Sequence, residues 1–188
     1  MKLGLVAFAV AVPSLAVASP QVTAGVGLGL TQQKADSTSE GDANRTLDLY
    51  GRIGITSRIA GQLEVARIST SSDTTDIRSI STLMVVELAS NSRLMPLIMA
   101  GIGWDHQDDY YGAREAHHIE GGFGLEYRVD GGFTIGAQFR LGGRSIDSDS
   151  TTVPLAYDDT TRTIALYEPS ALRAGEYRSL GLYAGVRF

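Results

Sequence analysis

A chain of 188 residues with 43% apolar side chains is one domain of ordinary size, and its lack of cysteine excludes a small module stapled by disulfides. The net charge of −5, from 16 basic and 21 acidic residues, excludes a nucleic-acid-binding surface, which needs a basic footprint. Lys2 and Lys34 are the only lysines; every other cation is an arginine, the residue suited to a fixed geometry among carboxylates.

Lys2, the apolar run 3–12, the break at Pro13 and Ser14 and the small-x-small triplet Ala16-Val17-Ala18 are the parts of a secretory leader. Residues 1–18 are therefore expected to be a signal peptide cut before Ser19, with one domain over 19–188. The apolar run is too short to anchor the chain as a helix, since spanning takes about 20 apolar residues. The longest later apolar stretch, 94–102, contains Pro96 and suits a strand better than a span.

From residue 19 onward the pattern alternates with period two and shows no helical periodicity. Eight strands are expected, over 21–31, 45–56, 62–71, 78–89, 94–104, 117–129, 133–143 and 176–188. Each has roughly the ten residues that a tilted strand needs to cross a bilayer. The connections 57–61, 90–93 and 130–132 are short, whereas 32–44, 72–77, 105–116 and 144–175 are mostly longer. Alternation of short and long connections is the pattern of an up-and-down barrel, and an even strand count puts both termini on the short-turn side. The connection 144–175 is long enough to be functional or mobile.

Alternation alone fits either a transmembrane barrel or a soluble lipocalin-like barrel, apolar inside. The composition of the polar stripe separates them. Over 133–141 one stripe is Phe133, Ile135, Ala137, Phe139 and Leu141, and the other Thr134, Gly136, Gln138 and Arg140. The first strand sets Val22, Ala24, Val26, Leu28 and Leu30 against Thr23, Gly25, Gly27 and Gly29. Glycines beside charges of both signs suit a narrow interior better than a solvated face. The charges expected inside are Asp48, Arg52, Glu64, Glu87, Glu120, Glu126, Arg128, Arg140 and Arg187, close to neutral overall, as a filled lumen requires. Salt bridges on a water-facing surface are the alternative. Phe123, Tyr127, Phe133 and Phe188 fall toward the short-turn rim, and Trp104 and Tyr177 toward the other, where aromatic girdles are expected.

The run His118-Ile-Glu-Gly-Gly-Phe-Gly-Leu-Glu-Tyr-Arg128, the Asp-Gly-Gly turn, Phe133-Thr-Ile-Gly-Ala-Gln-Phe-Arg140 and the final alternating strand ending on Phe188 resemble the small outer-membrane β-barrels related to outer-membrane protein A, in their barrel-only form. The resemblance implies an all-β, eight-stranded antiparallel up-and-down transmembrane barrel in the bacterial outer membrane. It also implies a monomer in contact with outer-membrane lipid and lipopolysaccharide, and a C-terminal strand ending at Phe188 that the barrel-assembly machinery reads.

Chemistry is sparse. Gly25-Val-Gly-Leu-Gly29 lacks the spacing of a phosphate loop, and no helix follows it. Adjacent His117 and His118 point to opposite faces of a strand and cannot share a metal. His106 with Asp105, Asp108, Asp109, Tyr110 and Tyr111 reads as a solvated loop cluster; no ligand spacing of a known metal site is present. The resemblance brings in two lipid A enzymes of this barrel size. The deacylase's His-x-Ser pair is absent, and a Gly-x-Ser-x-Gly elbow is absent too. No nucleophile, base and orienter can be named together, so no enzyme and no cofactor is expected. Many acids fall in the expected outer loops, among them Asp36, Glu40, Asp42, Asp73, Asp76, Asp105, Asp108, Asp109 and Glu115, against fewer bases such as Lys34, Arg114 and Arg144. Such a rim attracts cations and bridges to lipopolysaccharide phosphates through divalent ions, or is merely solvated. The expected role is structural or surface-interacting through long loops. The alternatives are a narrow pore or small transporter and, behind it, a lipid-modifying enzyme.

Overall fold

The structure, a computed structural model, describes residues 21–34, 43–69, 76–89, 92–109, 112–146, 172 and 174–188. The expected leader 1–18, Asp36, Glu40, Asp42, Asp73, Tyr110, Tyr111 and most of 144–175 lie outside them. The strands are β1 (Val22–Lys34), β2 (Ala43–Gly54), β3 (Ile59–Ser69), β4 (Asp76–Glu87), β5 (Leu94–Asp109), β6 (Gly112–Arg128), β7 (Phe133–Ile146) and β8 (Gly175–Arg187). Each pairs antiparallel with its sequence neighbours and β8 pairs with β1, so the sheet closes into an eight-stranded barrel. Phe188 lies at the seam: its amide donates to the Val22 carbonyl at 2.8 Å, and the Val22 amide donates to the Phe188 carbonyl at 3.4 Å. The hairpin between β6 and β7 turns on Gly131 and Gly132, whose φ angles of 90° and 86° only glycine adopts without strain.

The registers fix the barrel's dimensions. Paired residues followed once round the wall run Thr23, Arg52, Gln62, Leu83, Gly101, Glu120, Gly142, Tyr177 and back to β1 at Gln33, ten residues beyond the start. With ~3.3 Å per residue along a strand and ~4.8 Å between strands, that stagger sets a tilt of about 40° and a backbone radius of roughly 8 Å. Such a lumen is one that side chains fill.

The apolar stripe faces outward. Leu28, Ile119, Phe123 and Leu182 are each more than 60% exposed, and the exposed set continues round every strand. A water-soluble barrel with an apolar interior would bury this stripe, so the soluble alternative fails on orientation. Along the wall, Arg45 to Ile55 and Arg178 to Phe188 each span ten residues. At the estimated tilt this is about 25 Å along the barrel axis, the height of the apolar band of an outer-membrane barrel.

Several expected boundaries shift. Residues 105–109 and 112–116 are strand and not loop: β5 and β6 stay paired from Leu94↔Tyr127 up to Asp109↔Gly112. Likewise β7 continues through Arg144, and β1 through Lys34. Polar residues read as loop in one dimension are strand because their neighbours complete the ladder.

The interior is also less polar than expected near the short turns, where Ala60, Leu83, Val85, Met95, Leu97 and Met99 form a buried apolar cluster. The run 94–102 is thus apolar on both faces, one against the lumen cluster and one outward.

Several glycines on the inner wall are predicted to tolerate nothing larger. A Cβ at Gly136 would collide with the Tyr183 ring and lie 2.8 Å from the Leu125 carbonyl, whereas one at Gly143, on the outer face, would meet nothing within 4 Å. Gly136→Val is expected to lower stability by about 1–3 kcal/mol, and Gly143→Val by less than ~0.5 kcal/mol. Urea unfolding of the barrel in lipid vesicles reads both; equal midpoints would contradict the assigned faces.

Candidate functional site

The lumen is where this chain places its charged chemistry. All nine charges expected inside lie on inward positions, and Asp48, Arg52, Glu64, Glu120, Glu126 and Arg140 are buried. Two ion pairs cross the interior between strands four apart. Arg52 of β2 donates to Glu126 of β6 at 2.8 Å, and Arg140 of β7 donates to Glu64 of β3 at 2.7 Å. The first is extended by Arg52 to Gln62 (2.9 Å) and Tyr183 to Glu126 (3.3 Å), and the second by Arg140 to Glu120 (3.2 Å) and Tyr177 to Glu120 (3.0 Å). Nearer the short turns, Arg128 pairs with Glu87 at 2.5 Å and with Glu126 at 3.4 Å. Arg187 is half-buried and makes no ion pair among the described residues.

Asp48 is buried beside these pairs, its Oδ1 without a hydrogen-bond partner among the described residues. Its carboxylate occupies the space a side chain at Gly27 would need. The same exchange of large for small recurs. Tyr50 lies over Gly25 and Gly185, Tyr183 over Gly136, Tyr177 over Gly142, His118 over Gly103, and Arg140 over Gly122. Tyr50 and Tyr183 meet edge to face at 5.6 Å.

The sequence reading missed the third layer of this site. Asp105 and Arg144, expected in loops, and Tyr177, expected in an outer girdle, all point inward and are buried. Arg144 Nε lies 2.6 Å from Asp105 Oδ2, and the Arg144 guanidinium stands 5.2 Å from the Tyr177 ring centroid. His118 joins them through Nδ1, 3.0 Å from Asp105 Oδ2, and through Nε2, 3.0 Å from Ser81 Oγ. Because an ionised carboxylate only accepts, Nδ1 donates to Asp105, and in the neutral imidazole Nε2 then accepts the Ser81 hydroxyl proton. Of the expected cluster of His106 with Asp105, Asp108 and Asp109, the His106–Asp108 contact forms and the Asp105 part does not. Asp105 and His106 are adjacent on β5 and face opposite ways, so His106 contacts Asp108 at 3.0 Å and Glu115 at 3.6 Å while Asp105 turns inward.

Ser81, His118 and Asp105 have the connectivity of a hydrolytic triad, a nucleophile, a base and an orienter that the sequence did not bring together. Their surroundings differ from those of a hydrolase. The adjoining cavity measures about 30 Å³, room for about one water. The flanking strand amides are engaged in the ladder, so none is left aimed as an oxyanion hole. Toward the long-connection rim the lumen is topped by Ile68, Ile77, Ala116 and Leu172, with Ile146 against them.

A family model described as an outer membrane protein beta-barrel domain matches residues 3–187. Among solved structures, Neisserial surface protein A matches with a TM-score of 0.62 at 12% identity, covering 90% of this chain and 97% of that one. The N-terminal β-barrel domain of Pseudomonas aeruginosa OprF gives 0.55 at 14% identity, covering 88% and 97%. The Yersinia pestis attachment invasion locus protein, Ail, gives 0.50 at 17% identity, covering 89% and 98%. At such identities the likeness is one of fold. No curated protein sequence matches the chain.

Removing Arg140 leaves Glu64 and Glu120 facing each other without their cation. Arg140→Leu is expected to destabilise the barrel by about 3–5 kcal/mol. Adding Glu64→Leu should recover part of that loss, because the pair is removed together. Strictly additive losses in a urea double-mutant cycle would show that the two side chains do not meet.

Proposed function

The chain belongs to the outer-membrane protein β-barrel family and lies in the bacterial outer membrane; on that premise we propose that it is a closed, non-conducting barrel whose role is structural or surface-interacting, through its outer connections. The observation that carries this reading is the pair of ion bridges spanning the lumen from β2 to β6 and from β3 to β7. With the tyrosines beside them and an apolar cluster toward each end, they support a lumen without an aqueous path for a hydrated ion in a barrel of roughly 8 Å radius. Wide channels belong to barrels of about 16 strands. The surface reading has company in its fold, which serves a surface protein of Neisseria and an attachment protein of Yersinia pestis.

The rest of the reading follows the same premise. Residues 1–18 direct export and are removed. The final strand is recognised through Phe188 by the barrel-assembly machinery. The barrel is monomeric and contacts outer-membrane lipid, including lipopolysaccharide. The chain is not an enzyme: Ser81, His118 and Asp105 order the lumen, since a substrate has neither room beside Ser81 nor a donor pair for a developing oxyanion.

Conductance across planar bilayers tests the closed lumen. The wild-type protein is expected to give no steady single-channel steps. The variant with Arg52, Glu64, Glu126 and Arg140 all changed to Ala, confirmed folded by its heat-modifiable gel mobility, is expected to conduct. Large, stable steps from the wild-type barrel would make it a pore instead.

A further inference from the structure

Leu172 lies outside the ladder, three residues before β8, and is nevertheless 1% exposed. It is seated on Ile68 of β3, Ile77 of β4 and Ala116 of β6, with Ile146 of β7 against them. These residues pair across the wall at the long-connection mouth, Ile68 with Ile77 and Ala116 with Ile146. The approach of Leu172 is set by Gly175, the first residue of β8, which pairs with Arg144. Its φ of 127° is one that only glycine takes without strain, so the chain leaves the wall at a bend no other residue would favour.

Polar groups share this mouth with the aliphatic ones. Gln107 pairs with Ile77, and Asp105 with Ala116. Among the described residues, Gln107 Oε1, Asp105 Oδ1 and Arg144 Nη1 are buried without a hydrogen-bond partner. Keeping water from such atoms costs free energy. Burying a leucine among isoleucines releases a comparable amount. The closed mouth is therefore held by one aliphatic contact and opposed by polar atoms that water would satisfy. Two opposing contributions of similar size are the setting of an element with two populated states.

We propose that Leu172 is a removable stopper, hinged at Gly175, that controls the access of water and small solutes to the upper lumen. Seated, it shuts off the chain of Arg144, Asp105, His118 and Ser81. Lifted, it opens that chain to the outside and hydrates the unpartnered atoms of Gln107, Asp105 and Arg144. The ion pairs Arg52–Glu126 and Arg140–Glu64 do not depend on Leu172, so the opened space is a blind vestibule and not a channel. The stopper deepens the closed-lumen reading and rests on it for what lies below the vestibule.

The chain has no cysteine, so a single introduced thiol reports without background. Ser79, buried on β4 two residues from Ile77, is the reporter position. The test places the full-length Ser79→Cys barrel in nanodiscs, checks its folding by heat-modifiable gel mobility, and follows labelling by a membrane-impermeant methanethiosulfonate. Adding Leu172→Ala should raise the labelling rate by about tenfold or more, whereas Leu172→Met should keep it slow. Gly175→Val, which keeps the leucine and misdirects it, should also raise the rate. Leu83→Ala, which removes the same atoms from the buried cluster near the short turns, should leave it unchanged. An unchanged rate in Leu172→Ala, or an equal rise in Leu83→Ala, overturns the stopper. An unchanged rate in Gly175→Val overturns the hinge. Conductance of the Leu172→Ala barrel should stay absent. Steady channels from the wild type would instead remove the closed lumen, and the labelling comparison would still decide the stopper.

Discussion

Closing a sheet of eight strands with a stagger of ten residues leaves little freedom elsewhere. Every backbone donor in the wall is satisfied by a neighbour, which is what lets a strand cross hydrocarbon at all. The same closure sets the radius, and the radius decides what can stand inside. Large side chains on one strand require small ones on the strand they lie over, as Tyr50 requires Gly25 and Gly185, and Tyr183 requires Gly136. The inward glycines are therefore steric counterparts of specific rings and charges. They are not signs of a flexible wall.

Charges placed in so narrow a space have to meet. Removing a carboxylate and a guanidinium from water is costly, and their attraction offsets that only with good geometry and further hydrogen bonds. Those extra bonds are present here: Gln62 and Tyr183 support the lower bridge, and Glu120 and Tyr177 the upper one. Because each bridge joins strands on opposite walls, it ties together segments that share no ladder hydrogen bonds. The ladder holds neighbours and the bridges hold opposites. The Ser81–His118–Asp105 chain, anchored by Arg144, adds a third tie joining β4, β5, β6 and β7.

The fold was legible because alternation and turn spacing are local signals, and because a polar stripe of glycine and mixed charge has few uses outside a narrow barrel. Arg52, Glu64, Glu126 and Arg140 could be placed inside by counting in twos from apolar neighbours. Asp105 and Arg144 could not, since the segments around them are polar on both faces and look like loops until the partner strand is known. Tyr177 suffered from its position near a rim, where an aromatic residue has good reason to face either way. The apolar lumen cluster around Leu83, Val85, Leu97 and Met99 was hidden for the opposite reason: 94–102 is apolar on both faces, so the period vanishes. That Ser81 reaches His118 depends on a register across β4, β5 and β6 which no sequence spacing encodes.

The unequal rims also govern passage across the bilayer. Four outward arginines, Arg45, Arg67, Arg78 and Arg178, border the apolar band at one edge, whereas the level bordering it at the other is uncharged and Arg58 and Arg93 lie in the turns beyond it, so moving the barrel along its axis drags charge into hydrocarbon sooner in one direction than in the other. Each arginine on the lipid face at the bilayer midplane is unfavourable by about 2–4 kcal/mol. Once seated, sliding toward the short-turn side meets that barrier within a few ångströms, while in the other direction the uncharged aromatic level enters first. The collar acts as a ratchet stop. It sets the depth of the barrel and makes its retention a matter of kinetics as much as of equilibrium.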